Sequence, residues 1–321
     1  MKFFEIFITI LLCVMVACAC VVAYRHIPAY FNGEATEINL IDNGKVIEKV
    51  PADPIFTLAN YPKVDASSAT QPLVNAFIRD FTGEDIDVDK LEYTNTHSAY
   101  EKLINGDVDL IVVTEPSEEE LELAEENGIE LEVIPVVKEG FVFFVNEKNT
   151  VKSLTLEEVQ DIYAGEITNW RDVGGKNSEI RAFQRPANSG SQTGMLSLVM
   201  IDKEITEPLT EDLMESMDSI VNIVSSYDNG EDAIGYSYYY YVNTMFSDID
   251  SDVQSKIKLL QIDGIEPNSE TIKSGEYILQ TAYYIVINKE ESEGGNTRKL
   301  LEAMLSTRGQ AVAEEIGYVG I

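Results

Sequence analysis

The stretch Gln184-Arg185-Pro186-Ala187-Asn188-Ser189-Gly190-Ser191-Gln192-Thr193 sets one arginine four residues ahead of a hydroxyl-glycine-hydroxyl run that opens a helical pattern. A helix start leaves backbone N–H groups without intrahelical partners and carries the positive end of the helix dipole. With two hydroxyl donors added, these are the surroundings an oxyanion takes. Arg185 supplies a planar fork able to hold two anion oxygens at once. Taken alone, the same letters also describe a Ser/Gly loop capping a helix beside a surface arginine, because Ser and Asn are favoured at caps.

Outward from this stretch, strand patterns alternate with helical ones, and hydroxyls gather where strands give way to helices. Ile180–Phe183 reads as a strand feeding the arginine, and Gly194–Met200 as the helix beyond. Upstream, Ile55–Ala59 reads as a strand, and Ala69-Thr70-Gln71-Pro72 leads into a helix over 73–81 with Pro72 in its tolerant first turn. Asn95-Thr96-His97-Ser98 opens another helix, with Ser98 and Glu101 spaced as a capping box. Val108–Val113 has no polar face beyond Asp109 and ends at Thr114-Glu115-Pro116, as a strand covered on both sides does. Leu131–Val137 and Gly140–Asn146 read as two further strands at the passage from one lobe to the next. A long acidic helical region is expected before Val224, a short strand at Ala233–Ser237, and packing residues at Tyr238–Tyr241, where no basic residue interleaves to make a base-stacking platform. Tyr277–Asn288 and 296–315 close the pattern as a strand and a terminal helical region. The class is α/β. Ligands of open α/β sheets bind beyond the carboxyl ends of the strands, so a cleft there would collect Thr70, Thr96, Thr114 and Ser189–Ser191. Each hydroxyl also suits plain capping.

The 321 residues hold 23 basic and 56 acidic side chains, a formal charge of −33, which argues against nucleic acid as a partner. Cys13, Cys18 and Cys20 all lie in the first apolar segment, so the body has no disulfide, thiol nucleophile or cysteine metal site. His97 alone serves the body, His26 following the apolar segment directly. A Ser-His-Asp triad and a multi-histidine zinc site are therefore disfavoured. There is no Gly-x-Ser-x-Gly elbow around Ser189 and no P-loop before Gly175-Lys176. A non-enzyme without metal or cofactor is expected.

From Phe3 to Tyr24 the chain is apolar except at Glu5 and Thr9, long enough to span a bilayer, with small residues near its end as in secretory signals. Met15-Val16-Ala17-Cys18 resembles a bacterial lipoprotein cleavage box, and Cys20 offers a second register; an uncleaved anchor is the other reading. Either way the body is expected outside the cytoplasmic membrane, tethered. Ile38–Val50 alternates around Asp42-Asn43-Gly44, a hairpin signal.

Several motifs now fall in one order: Ala69-Thr70-Gln71-Pro72, Thr96, Asn105-Gly106-Asp107-Val108-Asp109, Gly165-Glu166-Ile167-Thr168-Asn169-Trp170, Arg185 with Ser189-Gly190-Ser191, Ile234-Gly235-Tyr236, and Ser306-Thr307-Arg308-Gly309-Gln310 before Gly317-Tyr318-Val319. From about Pro54 onward the chain resembles the phosphate-binding components of ABC-type phosphate importers, members of the type 2 periplasmic-binding-protein superfamily. The resemblance implies two lobes, each a mostly parallel sheet flanked by helices, with the ligand between them. It places the first lobe at 54–138 and 262–321 and the second at 139–261, behind a 1–25 signal or anchor and a 26–53 linker. It implies a phosphate site of Thr70, the Gln71 N–H, Thr96, Thr114, Arg185, Ser189, Gly190 and Ser191, and an ABC permease as partner of a monomer. The family commonly has Ser-Asp after the Val-Asp strand, its aspartate accepting a hydrogen bond from protonated phosphate; here Thr114 stands there, with Glu115 one position on. A tethered oxyanion-sensing or scaffold module without transport is the alternative.

Overall fold

A computed structural model describes residues 40–42, 45–47, 53–87, 90–214, 216–226, 230–245, 253 and 255–321. The chain divides into two units, Met1–Ala52 and Asp53–Ile321. In the first, β1 (Leu40–Asp42) pairs antiparallel with β2 (Lys45–Ile47) in the expected hairpin. The turn Asn43-Gly44, the apolar segment and Cys18 and Cys20 lie outside the described residues.

The second unit is built on strands β3 (Val64–Ala66), β4 (Leu110–Val113), β5 (Leu131–Asn146), β6 (Ser153–Leu154), β7 (Arg181–Ala182), β8 (Ala233–Tyr238), β9 (Ile257–Leu259), β10 (Gln261–Ile262) and β11 (Gln280–Asn288). Helices α1 (Gln71–Thr82), α2 (Thr96–Ile104), α3 (Glu118–Glu126), α4 (Leu156–Tyr163), α5 (Gly190–Gly194), α6 (Met217–Ser225), α7 (Ser269–Ser274), α8 (Asn296–Leu305) and α9 (Thr307–Glu315) accompany them. The main sheet runs β3-β4-β11-β5-β8-β7, with β9 also on β5. It is mixed: β3/β4 and β7/β8 are parallel, whereas β11 is antiparallel to both β4 and β5, and β8 and β9 are antiparallel to β5. Within the main sheet, parallel pairing among the described residues is found at those two outer pairs, because the long return strand β11 threads between β4 and β5; β6 and β10 form a separate two-stranded parallel sheet.

Two strands expected at 131–137 and 140–146 are one. The first part of β5 pairs with β11 from Leu131↔Asn288 to Gly140↔Gln280, and the second pairs with β8 from Phe141↔Tyr238 to Val145↔Ile234. Lys138-Glu139-Gly140 reads as a polar break, yet Glu139 is buried inside the sheet. Its Oε1 accepts from the Gly140 N–H at 2.8 Å and from the Tyr240 N–H at 3.2 Å, clasping the chain after β8 to β5. Such bonds are what a buried carboxyl requires.

Other expectations shift for physical reasons. The strand expected at 55–59 is loop, Ile55 and Leu58 being exposed while the Ile55 and Phe56 amides bond Phe81 O; the sheet member is Val64–Ala66. Among the described residues, the acidic region after Met200 is helical at a short Thr210–Asp212 turn and at α6, whose buried Met217, Ile220, Val221 and Val224 carry the amphipathic spacing. α1 forms as read. Pro72 lies in its first turn, Leu73, Val74, Phe77, Ile78 and Phe81 bury one face, and Gly83 closes it at φ 68°. Trp170 is buried, donating from Nε1 to Asp232 O at 3.0 Å.

Burial pushes the Glu139 carboxyl up to about 8 from the ordinary 4.5 of a glutamate, against the lowering effect of the amides that bond it. A folded-state value above the unfolded one means stability that is fully present below about pH 4.5 and lost as pH rises through about 8. Between about pH 5 and about pH 8, unfolding free energy from urea titrations is expected to fall by about 2 kcal/mol or more in the natural chain relative to Glu139→Gln, which keeps the Oε1 acceptor and cannot ionise. Parallel curves for the two proteins would contradict this.

Candidate functional site

A cavity of about 320 Å³ lies where the two halves of the main sheet meet. It is lined by Ser67, Ser68, Ala69, Asn95, Thr96 and Thr114 from one half, and by Arg185, Ser189, Gly190, Ser191, Ser237 and Tyr238 from the other, with Ser216, Met217, Asp218, Tyr241 and Met245 beyond. Arg185 and Asp218 are the charged side chains among these described lining residues.

Arg185 follows β7 on a loop held from beneath. Its backbone N–H donates to the Tyr236 hydroxyl at 3.0 Å and to Gln192 Oε1 at 3.2 Å, and the Tyr236 hydroxyl itself donates to that Gln192 oxygen. Ser189 caps α5, its hydroxyl accepting from the Gln192 N–H at 3.2 Å and lying 3.4 Å from Ser191 Oγ. The helical run continues through a π-helical turn, Met195–Val199. One loop thus gathers a guanidinium, two hydroxyls and a helix start, all of which complement negative charge. Tyr238 donates to Gly190 O at 2.9 Å and ties this loop to β8.

Across the cavity, Thr96 begins α2 and Thr114 directly follows β4. A Cβ built on Gly190 would stand 2.3 Å from Thr114 Oγ1 and 2.8 Å from Thr96 Oγ1, so only glycine allows this approach. Thr114 Oγ1 is buried there without a hydrogen-bond partner among the described residues. An unmade bond to a buried hydroxyl costs about 1–3 kcal/mol.

Of the residues read from the sequence, Thr96, Thr114, Arg185, Ser189, Gly190 and Ser191 come together on this cavity, and Thr70 and Gln71 do not. The fully buried Thr70 hydroxyl is spent on Val112 O at 2.5 Å and Ser67 O at 3.1 Å, and the Gln71 N–H donates to Ser67 O at 3.1 Å. The turn that starts α1 uses these donors itself and presents Ser67, Ser68 and Ala69 instead. Glu115 does not line the cavity either, since Oε1 accepts from the Ser197 hydroxyl. His97 lies outside it, with Nδ1 3.2 Å from Glu120 Oε1.

Sequence reasoning missed Asp218, Tyr238 and Tyr241. Asp218 sits in the first turn of α6 behind its cap Ser216, and Tyr241 donates to its Oδ1. The 217/220/221/224 spacing would have located that helix start, had the acidic stretch before it not been read as helical. Tyr238–Tyr241 are packed as expected, Tyr240 stacking on Tyr318 at 3.5 Å between ring centres, but Tyr238 and Tyr241 also form cavity wall. Burial holds the hydroxyls of Tyr236, Tyr238 and Tyr241 above their usual range, with Glu115 and Glu139 adding to this at Tyr238 and Asp218 at Tyr241. All three remain hydrogen-bond donors at physiological pH. Among the described residues no group of three or more His, Cys, Asp or Glu side chains could hold a metal ion.

The sequence profile of the PBP superfamily domain matches residues 57–306. The chain belongs to that superfamily. Among relatives, it is 27% identical over 267 residues to the phosphate-binding protein PstS of Staphylococcus saprophyticus, covering 81% of this chain and 80% of the relative. To PstS of Bacillus subtilis it is 26% identical over 263 residues, covering 80% of each. Among solved structures, a substrate-binding protein from Clostridium perfringens with bound phosphate superposes with a TM-score of 0.62 at 20% identity, covering 80% of this chain and 98% of that one. An ABC-type phosphate transport receptor from Vibrio cholerae gives 0.59 at 19%, covering 80% and 99%. At that identity the structural likeness speaks for the two-lobed α/β fold of the superfamily.

For this PBP superfamily member, Gly190→Ala should fold, because strain arises only where Gly190 meets the loops of Thr96 and Thr114. Oxyanion binding measured by calorimetry should weaken at least about tenfold, a loss of about 1.4 kcal/mol.

Proposed function

We propose that this chain is the extracytoplasmic, membrane-tethered binding component of an ABC importer that captures inorganic phosphate without chemical change. The observation that carries this reading is the cavity that unites Arg185 and the Ser189–Ser191 helix start with Thr96 and Thr114 on the facing loops. Relatives named phosphate-binding protein PstS, matched over four-fifths of their length, support the same ligand. The guanidinium fork would take two oxygens, the 189–191 hydroxyls and amides a third, and Thr96 or Thr114 the fourth. Thr114 is neutral and cannot repel a fully deprotonated anion as a carboxylate in its place would, so rejection of sulfate would be weaker than in a site carrying aspartate there.

Arg185→Ala should weaken phosphate binding by roughly 2–4 kcal/mol, since charge-assisted bonds in a closed site are each worth about 1.5–3 kcal/mol. Arg185→Lys should lose less but still substantially, because an ammonium cannot reproduce the fork. Calorimetry with inorganic phosphate reads both, and unchanged affinity in Arg185→Ala would remove the site from this loop. The no-chemistry part of the reading is checked by incubating the chain with aryl phosphates and esters, where no product is expected.

Tethering rests on the Lys2-to-Arg25 segment. In a bacterial host the chain is expected in the membrane fraction, with palmitate label lost on Cys18→Ala if Cys18 is acylated. Unlabelled full-length chain in that fraction would indicate an uncleaved anchor instead.

A further inference from the structure

The cavity has a part that a bare tetrahedral oxyanion leaves unused. Its volume of about 320 Å³ is on the order of ten times the share of a liquid water molecule, whereas one central atom with four oxygens needs only a small fraction of that. The lining beside the Arg185 and Ser189–Ser191 donors also includes Met217, Tyr241 and Met245, and an exposed acid, Asp218. Methionine side chains are soft and adapt to an apolar guest, and they offer nothing to a small dianion.

Asp218 points the same way. One of its oxygens accepts from the Tyr241 hydroxyl, but an ionised carboxylate has about four acceptor positions, and it offers no donor. Facing a cavity whose other charged side chain is Arg185, it repels any ligand negative at both ends and favours one that brings a hydroxyl or ammonium donor. A guest that satisfies the whole lining has a phosphate at the arginine end, a short carbon linker against the methionines and a donor at Asp218.

We propose that the same cavity also takes phosphomonoesters of small hydroxyl- or amine-bearing alcohols, the phosphate on Arg185 and Ser189–Ser191 and the donor group on Asp218. This rests on the reading that the arginine end holds a phosphate group.

The test is equilibrium dialysis of the full chain in mild detergent with labelled inorganic phosphate, competed by glycerol 3-phosphate, phosphoethanolamine, pyrophosphate, glycerol and ethanolamine. Direct thermal-shift titration of each compound accompanies it. Both esters should displace phosphate at concentrations within about tenfold of unlabelled phosphate itself; pyrophosphate, negative at both ends, should compete poorly, and the free alcohols not at all. In Asp218→Asn the ratio of ester to phosphate affinity should fall at least tenfold. In Met245→Trp, which fills the apolar part, the esters should lose affinity by a larger factor than inorganic phosphate. Phosphate binding with no ester competition at thousandfold excess overturns the proposal, as does an unchanged ratio in a folded Asp218→Asn. Loss of all binding, inorganic phosphate included, removes the reading beneath it and the proposal with it. Ester binding without inorganic phosphate binding keeps the ester proposal and replaces the simpler ligand.

Discussion

The candidate site depends on the way the Arg185 backbone is held. Its amide is shared by the Tyr236 hydroxyl and Gln192 Oε1, and Tyr236 closes the arrangement by donating to the same glutamine oxygen. Tyr236 belongs to β8, Gln192 to the helix that Ser189 caps, and Arg185 to the loop between β7 and that helix. Three segments thus converge on one part-buried polar group bonded on both sides. In a low-dielectric interior such a group is costly to disturb, so the guanidinium starts from a fixed base. Tyr238, two residues further along β8, fixes Gly190 O.

A chain of formal charge −33 is a poor long-range attractor of anions. Exposed charges farther than about 8 Å are largely screened at physiological ionic strength, and what an anion meets in the cavity is local. That local set is one guanidinium, a helix start, hydroxyls and the exposed Asp218. Overall charge therefore bears on solubility and approach, while the polarity of the site is decided by a handful of oriented groups. Nor do the two halves stay independent. β5 serves both half-sheets, and the Glu139 carboxyl bonds Tyr240 of the chain that leaves β8, so the floor of the cavity is continuous with the passage between them.

Much of the fold could be read from local patterns because those patterns are local physics. α1, the β1–β2 hairpin and the strand at β4 each need only a few neighbouring residues to declare themselves, and each is where it was expected. The capping box read at Ser98 is one turn off: Asn95 is the cap, accepting from the Ser98 amide, and α2 begins at Thr96. The strand misread at 55–59 and the single long β5 failed for a shared reason: a loop residue buried by distant partners, or a glutamate buried in a sheet, looks locally like its opposite.

Of the residues that line the candidate site, the sequence alone pointed to the arginine, the hydroxyl-glycine-hydroxyl run, Thr96 and Thr114, because their chemistry is written in residue type and short spacing. Only the tertiary structure decided which donors remain for a ligand. Thr70 and Gln71 carry suitable groups, but the turn that starts α1 spends them on Val112 and Ser67, and the neighbouring Ser67–Ala69 take the wall. It also decided where the acid stands. Glu115, adjacent in sequence to Thr114, is drawn to Ser197, whereas Asp218, more than a hundred residues away, reaches the cavity through α6 and Tyr241. Hydrogen-bonding capacity belongs to the residue, but its availability depends on every partner that the fold brings within about 3 Å, and that set is not local in the chain.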